Sequence, residues 1–390
     1  MVAESPVPAI VPACSIHPYE KTMIFFHTTR DQVLTALQSV CGIVERRHPM
    51  PILANVLLRK TGSTLEFISS DLELQLRTAS DLGGDVGDEA ITVGARKLID
   101  ILRSMPDLQT VTLDAQDSRV VLRGGKSRFT LQTLPAQDFP LAREGDDFSP
   151  PFSIPQKALK RLLGQVSFAM AQHDIRYYLN GILFEVEGDE LRLVATDGHR
   201  LAFASATLDV DMPKQGVILP RKTVLELQRL LSDDQGTIEM RFSGNRAKFA
   251  FGSIEFSTNL VEGRFPDYAR VIPTDHQYSA MLARTAMLSA LQRTAILTSE
   301  KIRGVQLVFE PGVLRVVASN AEQEEAVDEL DIDFQGVGFE IGFNVTYLID
   351  VLSNTADETV NLHFTDSTSS VLLTLPDDPK FRYVVMPMRI

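Results

Sequence analysis

Three short stretches, "SSDLEL", "ATDGHR" and "ASNAEQ", each close an alternating apolar run, and they place Asp71, Asp197 and Asn320 at steps of 126 and 123 residues. A period of this size constrains the fold more than any local propensity, because every copy must build the same supersecondary unit. Two further markers keep the period. "ITVGARKLIDIL", "VILPRKTVLELQRLL" and "FEIGFNVTYLIDVL" each join a short strand to a helix with an apolar stripe, Lys97 and Lys222 standing 125 residues apart and Val345 at the third junction. "TTRDQVLTALQSV" has a capping-box pattern, Thr29 to Gln32, followed by Val33, Leu37 and Val40 on one helical face. "IPQKALKRLLGQV" repeats that stripe with Leu159, Leu163 and Val166, with Pro155 suited to the first turn, and "TAMLSALQRTAIL" repeats it with Met287, Leu291 and Ala295.

The pattern predicts an α+β chain of three copies, 23–149, 150–275 and 276–390, each with helices on one face of antiparallel sheets. Pro-rich junctions "FSPPF" and "VIPTDHQ" separate them. Three large units favour a flat arc or a fragment of a ring over an open solenoid. Residues 1–22 carry four prolines and no basic segment before an apolar core, and are expected to be a disordered extension rather than a secretory signal.

With 44% hydrophobic and 23% charged residues in 390, the chain has the composition of a globular protein of two or three domains. No window is apolar for long enough to cross a membrane. The two cysteines, Cys14 and Cys41, form neither a disulfide framework nor a metal-ligand spacing, so no metal or other cofactor is expected, and a reducing cytoplasm fits. A net charge of −13 requires that any nucleic-acid contact use a localised basic surface. The helix segments supply candidates: Arg46 and Arg47, Arg96, Lys97 and Arg103, Lys157, Lys160 and Arg161, Arg221, Lys222 and Arg229. Solvated helix faces account for any one of them. Their recurrence in two copies suits backbone-directed DNA binding.

"GGKSRFT" ends like a phosphate-binding loop but lacks its first glycine, which would stand at Val120, so a hairpin turning at Gly124 and Gly125 is expected. Asp197, His199 and Arg200 could form a carboxylate-oriented base beside an anion binder, the basis of a hydrolase reading. The same strand end carries Asp71 and Asn320, however, so Asx-turn chemistry explains all three without a reaction. Gly198, His199 and Arg200 are peculiar to the middle copy and stay open to a binding role. The terminal "YVVMPMRI" needs burial as a last strand or a partner, and Met beside Pro suits a surface that accepts short apolar peptides. A third possibility is a three-domain protein scaffold that never encircles DNA.

Taken in order, "RYYLNGILFE", "ATDGHRLA", "LPRK", "VEGRFPDY", "IGFNVTYLIDVL", "TDSTSSV" and "VVMPMRI" resemble the bacterial DNA polymerase III beta subunit family, the sliding clamps, from about Met23 to Ile390. The resemblance implies a non-catalytic processivity factor of the polymerase holoenzyme. It would be a head-to-tail homodimer closing into a six-domain ring, with helices lining the hole around duplex DNA and sheets outside. It implies a nucleoid-associated cytoplasmic protein whose partners are the polymerase alpha subunit, the clamp loader, and other polymerases and repair proteins. These would insert a motif resembling Gln-Leu-x-Leu-Phe into a cleft.

Carried over by position, the cleft is formed by Leu179, Thr196, Gly198, His199, Arg200, Leu201, Pro266, Arg270 and Val271, with Asn320, Tyr347, Ser370 and the tail Val384, Val385, Met386, Pro387, Met388 and Arg389. DNA contacts are implied at Arg47, Tyr177 and Tyr178, and at His173, which stands where family members often have glutamine. The dimer seam is implied between Lys97, Lys126, Arg128, Phe129 and Leu131 of one copy and Ile296, Leu297, Glu324 and Asp328 of the other. Ile390 replaces the common terminal leucine, a volume-conserving change.

Overall fold

The computed structural model describes residues 22–45, 49–116, 118–142, 147–299 and 302–390. The expected extension therefore lies, but for one residue, outside the described part, as does Arg47. Two compact units are present: one holds the chain to Asp71 with Arg77–Pro140, the other Leu72–Leu76 with Leu141–Ile390.

One series of elements fills the first unit and runs twice through the second. The first copy is the strand Met23–Thr29, helix α1 (Arg30–Val40), strands Asn55–Gly62, Thr64–Ser70, Leu74–Asp81 and Gly87–Gly94, helix α2 (Ala95–Ser104), and strands Thr110–Gln116, Arg119–Gly124 and Ser127–Gln132. The second is Phe152–Pro155, α3 (Gln156–Val166), two long strands Gly181–Thr196 and Arg200–Pro220, α4 (Arg221–Leu230), then Thr237–Phe242, Arg246–Phe251 and Ile254–Asn259. The third is Tyr278–Ala283, α5 (Arg284–Thr294), Gly304–Glu310, Val313–Ser319, Glu325–Asp331, Phe339–Asn344, α6 (Val345–Ser353), Thr359–Phe364, Val371–Thr374 and Phe381–Val385.

Strand register keeps the period. The pairs Asn55↔Gly94, Gly181↔Pro220 and Gly304↔Asn344 lie at the same end of the same antiparallel ladder in the three copies. In the middle copy two long strands do the work of four, with the register slipping on either side of Gly188, which takes φ +62°. An L-residue is strained at that angle and glycine is not.

The helical stripes face inward as expected. Val33, Leu37 and Val40 are buried, as are Leu159, Leu163 and Val166, and Met287 and Leu291, each contributing about 1.5–3 kcal/mol by leaving water. Ala295 lies beyond the end of α5, half-buried in a single 3-10 turn.

Three local expectations need correction. The hydroxyls of Thr28 and Thr29 both donate to the Gln32 side-chain oxygen, Thr29 at 3.0 Å, so Thr29 occupies the N-cap position of α1 with neither of the backbone bonds of a capping box. Pro155 is the N-cap of α3, still extended at ψ 134°, rather than a first-turn residue. The hairpin turns at Gly125 and Lys126, because Gly124 is already paired with Ser127.

In the second unit a six-stranded sheet joins the last two copies in the order Gly181–Thr196, Arg200–Pro220, Phe381–Val385, Val371–Thr374, Thr359–Phe364, Tyr278–Ala283. Two four-stranded sheets, one in each unit, end on open strands: Ser127–Gln132 follows Arg119–Gly124 at one edge, and Glu325–Asp331 follows Val313–Ser319 at the other. None of the described helices is long and apolar enough to cross a membrane.

Candidate functional site

The turn after the strand Gly181–Thr196 is built by short polar side chains. Asp197 Oδ1 accepts from the backbone N–H groups of His199 (2.9 Å) and Arg200 (3.1 Å), while Thr196 Oγ1 accepts from Gly198 N–H (3.1 Å) and donates to the Arg200 carbonyl (2.6 Å). Gly198 sits at φ +90°, and a Cβ there would come within 3.2 Å of the Arg176 guanidinium. Asn320 repeats the device, its Oδ1 accepting from Glu322 N–H (3.1 Å) and Glu324 N–H (3.0 Å). The carboxylate of Asp197 thus holds the backbone and Arg200, not the imidazole. His199 is exposed, and its carbonyl accepts from Met386 N–H at 2.9 Å. These contacts remove the acid–base pair on which the hydrolase reading depended.

Arg200 ties this turn to the third copy. Its guanidinium donates to Asp197 Oδ2 (3.1 Å), Asp350 Oδ2 on α6 (2.6 Å) and the Phe168 carbonyl (2.7 Å), and lies 4.5 Å from the centre of the Tyr347 ring. Burial works against its charge, yet Tyr383, Asp350 and Asp197 together hold its pKa above the ordinary value. Tyr383, fully buried, donates to the Tyr347 carbonyl at 2.9 Å, and burial pushes its own pKa up.

The C-terminal segment changes character at Val385. Val384 and Val385 are buried strand residues paired with Leu201 and Arg200. Beyond them Met386 is 48% exposed, Pro387 and Met388 are half-buried and Arg389 is exposed. Met388 N–H donates to the Gly342 carbonyl at 2.8 Å, and a Cβ on Gly342 would stand 2.5 Å from the Met388 carbonyl oxygen. Leu201 and Val384 share an apolar cluster with Val194, Phe203, Phe265 and Leu372, onto which Tyr178, Tyr268 and Ile272 pack. Leu179 is buried in a 3-10 turn. Pro266, Arg270 and Val271 are exposed beside that cluster, Arg270 in an ion pair with Asp267 (2.8 Å). Ser370 is half-buried immediately before the strand Val371–Thr374, whereas Asn320 keeps its hydrogen bonds inside its own turn.

Elsewhere, His173 (φ +56°) and Tyr177 are exposed and Tyr178 half-buried in a loop pinned by Asp174, whose bonds from the Arg176 side chain and backbone bring its pKa down to about 2. Lys97, Lys126 and Arg128 are exposed, and Phe129 and Leu131 half-buried on the open strand Ser127–Gln132. Ile296 is 78% exposed, Leu297 half-buried and Glu324 exposed. Asp328 is already paired with Arg293 at 2.5 Å within its own chain, which lowers its pKa. Sequence reasoning missed Asp350, Phe168 and Gly342, which hold Arg200 and the tail, and Val327, 52% exposed on the open strand Glu325–Asp331. Of these only Gly342 left a signal, as a glycine inside a strand pattern, which marks a close backbone approach.

Three models of the DNA polymerase III beta subunit match the chain in succession: the N-terminal domain over residues 24–143, the central domain over 153–267 and the C-terminal domain over 269–389. The beta sliding clamp of Pseudomonas aeruginosa is 45% identical over 94% of this chain and all of its own length, and that of Escherichia coli is 41% identical with the same coverage. The crystal structure of the P. aeruginosa DNA polymerase III subunit beta superimposes with a TM-score of 0.91 at 44% identity, covering 94% of this chain and 100% of its own. A structure of the P. aeruginosa sliding clamp bound to griselimycin matches equally well, with TM-score 0.91, 44% identity and the same coverage. The chain therefore belongs to the DNA polymerase III beta subunit family, the sliding clamps, which act as non-catalytic processivity factors.

Proposed function

We propose that two copies of this chain associate head to tail, with domains 23–149, 150–275 and 276–390, and close around duplex DNA in the cytoplasm. The polymerase alpha subunit, the clamp loader and other polymerases and repair proteins then dock through a short apolar motif beside the turn Thr196–Leu201. The observation that carries the docking reading is the tail itself: an exposed Met386 and half-buried Pro387 and Met388, held against His199 and Gly342 by two backbone hydrogen bonds. Such a segment offers adaptable apolar surface on a rigid floor, the combination that accepts short peptides.

The ring reading draws on the two open strands. An unpaired strand edge is a template for another chain. Ser127–Gln132 has Lys126 and Arg128 around its apolar Phe129 and Leu131, and Glu325–Asp331 has alternating carboxylates around Val327; α5 is tied to that strand by the Arg293–Asp328 ion pair, and Ile296 is exposed on the 3-10 turn that follows α5. Opposite charge and exposed apolar groups suit a heterologous contact of one edge with the other. Exposed Arg96, Lys97, Arg103, Lys157, Arg161 and Arg229 on helix faces supply the phosphate contacts, which hold without reading bases. Tyr177, Tyr178 and His173 add to them from their loop.

The test is fluorescence anisotropy of a labelled Gln-Leu-x-Leu-Phe peptide titrated with the intact chain and with a chain ending at Val385, which keeps the buried strand. Saturable binding that the truncation removes is expected; equal binding by both chains would refute the docking site. After loading by a clamp loader, retention on closed circular DNA and loss on linearisation is the expected signature of encirclement. Equal retention on both would favour a scaffold.

A further inference from the structure

Cross-strand partners in a sheet share a face, so the face that carries Leu201 can be followed strand by strand. Its first row is Thr196, Leu201, Val384 and Leu372; the second is Val194, Phe203, Arg382 and Thr374; the third brings Arg192 opposite Ser205 and the fourth Glu190 opposite Thr207. Rows on one face are about 7 Å apart. The face thus passes from an apolar end, where the docking cleft is placed, to a polar end about 13–20 Å away.

At the polar end lies a cavity of about 390 Å³, bounded by Arg192, Phe203, Tyr268, Ile272, Lys380 and Arg382 among others. Its charges are unevenly satisfied. Arg192 is matched by Glu185 (3.3 Å), Glu187 (3.2 Å) and Glu190 (2.7 Å), and Tyr268 donates to Glu185 at 2.5 Å. Lys380 instead donates to the Thr207 hydroxyl, and Arg382 lies over the Phe203 ring at 5.5 Å. Among the described residues neither cation has a carboxylate at ion-pair distance; Glu190, which also lines the cavity, is bonded to Arg192 and feels the charge of Lys380 only from farther off. Phe203 belongs both to the cavity wall and to the apolar cluster beneath Leu201 and Val384, so the two sites are continuous.

We propose that this cavity is an accessory pocket of the docking cleft, taking a carboxylate side chain that lies about four to six residues outside the apolar motif of a docked peptide, the reach set by about 3.3 Å per extended residue. The proposal rests on the docking reading above. Lys380 and Arg382 receive the carboxylate, and Phe203, Tyr268 and Ile272 shield the contact from water. It makes the cleft select among partners by the acidity of the flanking chain, at a place distinct from the motif itself.

The test compares five labelled peptides by anisotropy: the motif alone, the motif with an Asp-Glu pair about four to six residues before it or after it, and the same two extensions carrying Lys in place of the acidic pair. The proteins are the intact chain and its Lys380→Gln and Arg382→Gln variants. Acidic extension on one side is expected to tighten binding roughly three- to tenfold, the worth of one or two partly exposed ion pairs. Each variant should lose most of that gain while binding the bare motif as before, and 0.5 M salt should reduce it. Tight binding of the bare motif with no gain from either acidic extension, or a gain that both variants keep, overturns the proposal alone. Failure of the bare motif to bind the folded chain overturns the docking reading and this proposal with it. Saturable binding of a labelled nucleoside triphosphate that Arg382→Gln abolishes, without a peptide gain, would assign the pocket to a small anion instead.

Discussion

Replacing Arg200 by Ala tests how the middle and last copies are held together. The side chain is 9% exposed and makes three charge-assisted hydrogen bonds, to Asp197, Asp350 and the Phe168 carbonyl, besides the contact with the Tyr347 ring. Removing one member of a buried ion pair costs about 3–5 kcal/mol because the other charge is left behind. Asp197 and Asp350 are 16% and 31% exposed, and Asp197 keeps two backbone N–H donors, so water and the turn offset part of the loss. The expected cost is about 2–4 kcal/mol, taken from the stability of the unit containing Leu141–Ile390. Asp350→Asn should cost less, about 1 kcal/mol, since Arg200 retains its other two partners. Urea unfolding followed by circular dichroism reads the transition, and motif-peptide anisotropy on the same samples reads the cleft, where Arg200→Ala should weaken binding. A double-mutant cycle should give a positive coupling between positions 200 and 350. An Arg200→Ala transition within about 0.5 kcal/mol of the parent, with peptide binding unchanged, would refute the reasoning.

Other expectations follow from single contacts. Burial, and then the neighbouring charge of His276 with its ring 4.4 Å away, lowers the pKa of His363 below its usual 6.5. Its contribution to stability is complete above that pH and lost as pH falls through the lower folded value, so unfolding free energy should decline below pH 6.5, less steeply in His363→Gln. Ile296→Asp places a charge on a residue 78% exposed in the single chain, so it should leave folding intact yet give monomers by sedimentation; a dimer of parental stability would remove Ile296 from the seam. Gly342→Ala puts a methyl carbon 2.5 Å from the Met388 carbonyl oxygen, so the tail must lift and peptide affinity fall while the thermal transition moves little. Unchanged affinity would show that the tail's seat on Gly342 is dispensable.

How much was legible depended on whether a feature repeats. The stripes Val33, Leu37 and Val40 and Leu159, Leu163 and Val166 were readable because a helix that buries one face must space its apolar residues by the turn of the helix. The Asx turn at Asp197 was readable because Asn320 performs the same task, and that comparison also argued against catalysis. Capping at Thr29, the position of Pro155 and the turn at Gly125 and Lys126 came out differently, since each is decided within one residue by backbone angles that composition does not specify.

The sequence by itself determined the threefold period, the α+β series of each copy, the inward faces of the helices, and, through ordered motifs along nearly the whole chain, the family. These are properties of residue order, and local periodicity writes them plainly. Tertiary structure alone decided that Asp350 and Phe168 hold Arg200, that the terminal run divides at Val385 into buried strand and exposed tail, and that Lys380 and Arg382 line a common cavity with Phe203 and Tyr268. The residues joined are far apart along the chain, 32 positions for Phe168 and Arg200 within the middle copy and 150 for Arg200 and Asp350, and those between the middle and last copies meet because strands of the two align in one sheet. Register across that sheet, not the identity of any one residue, places them face to face.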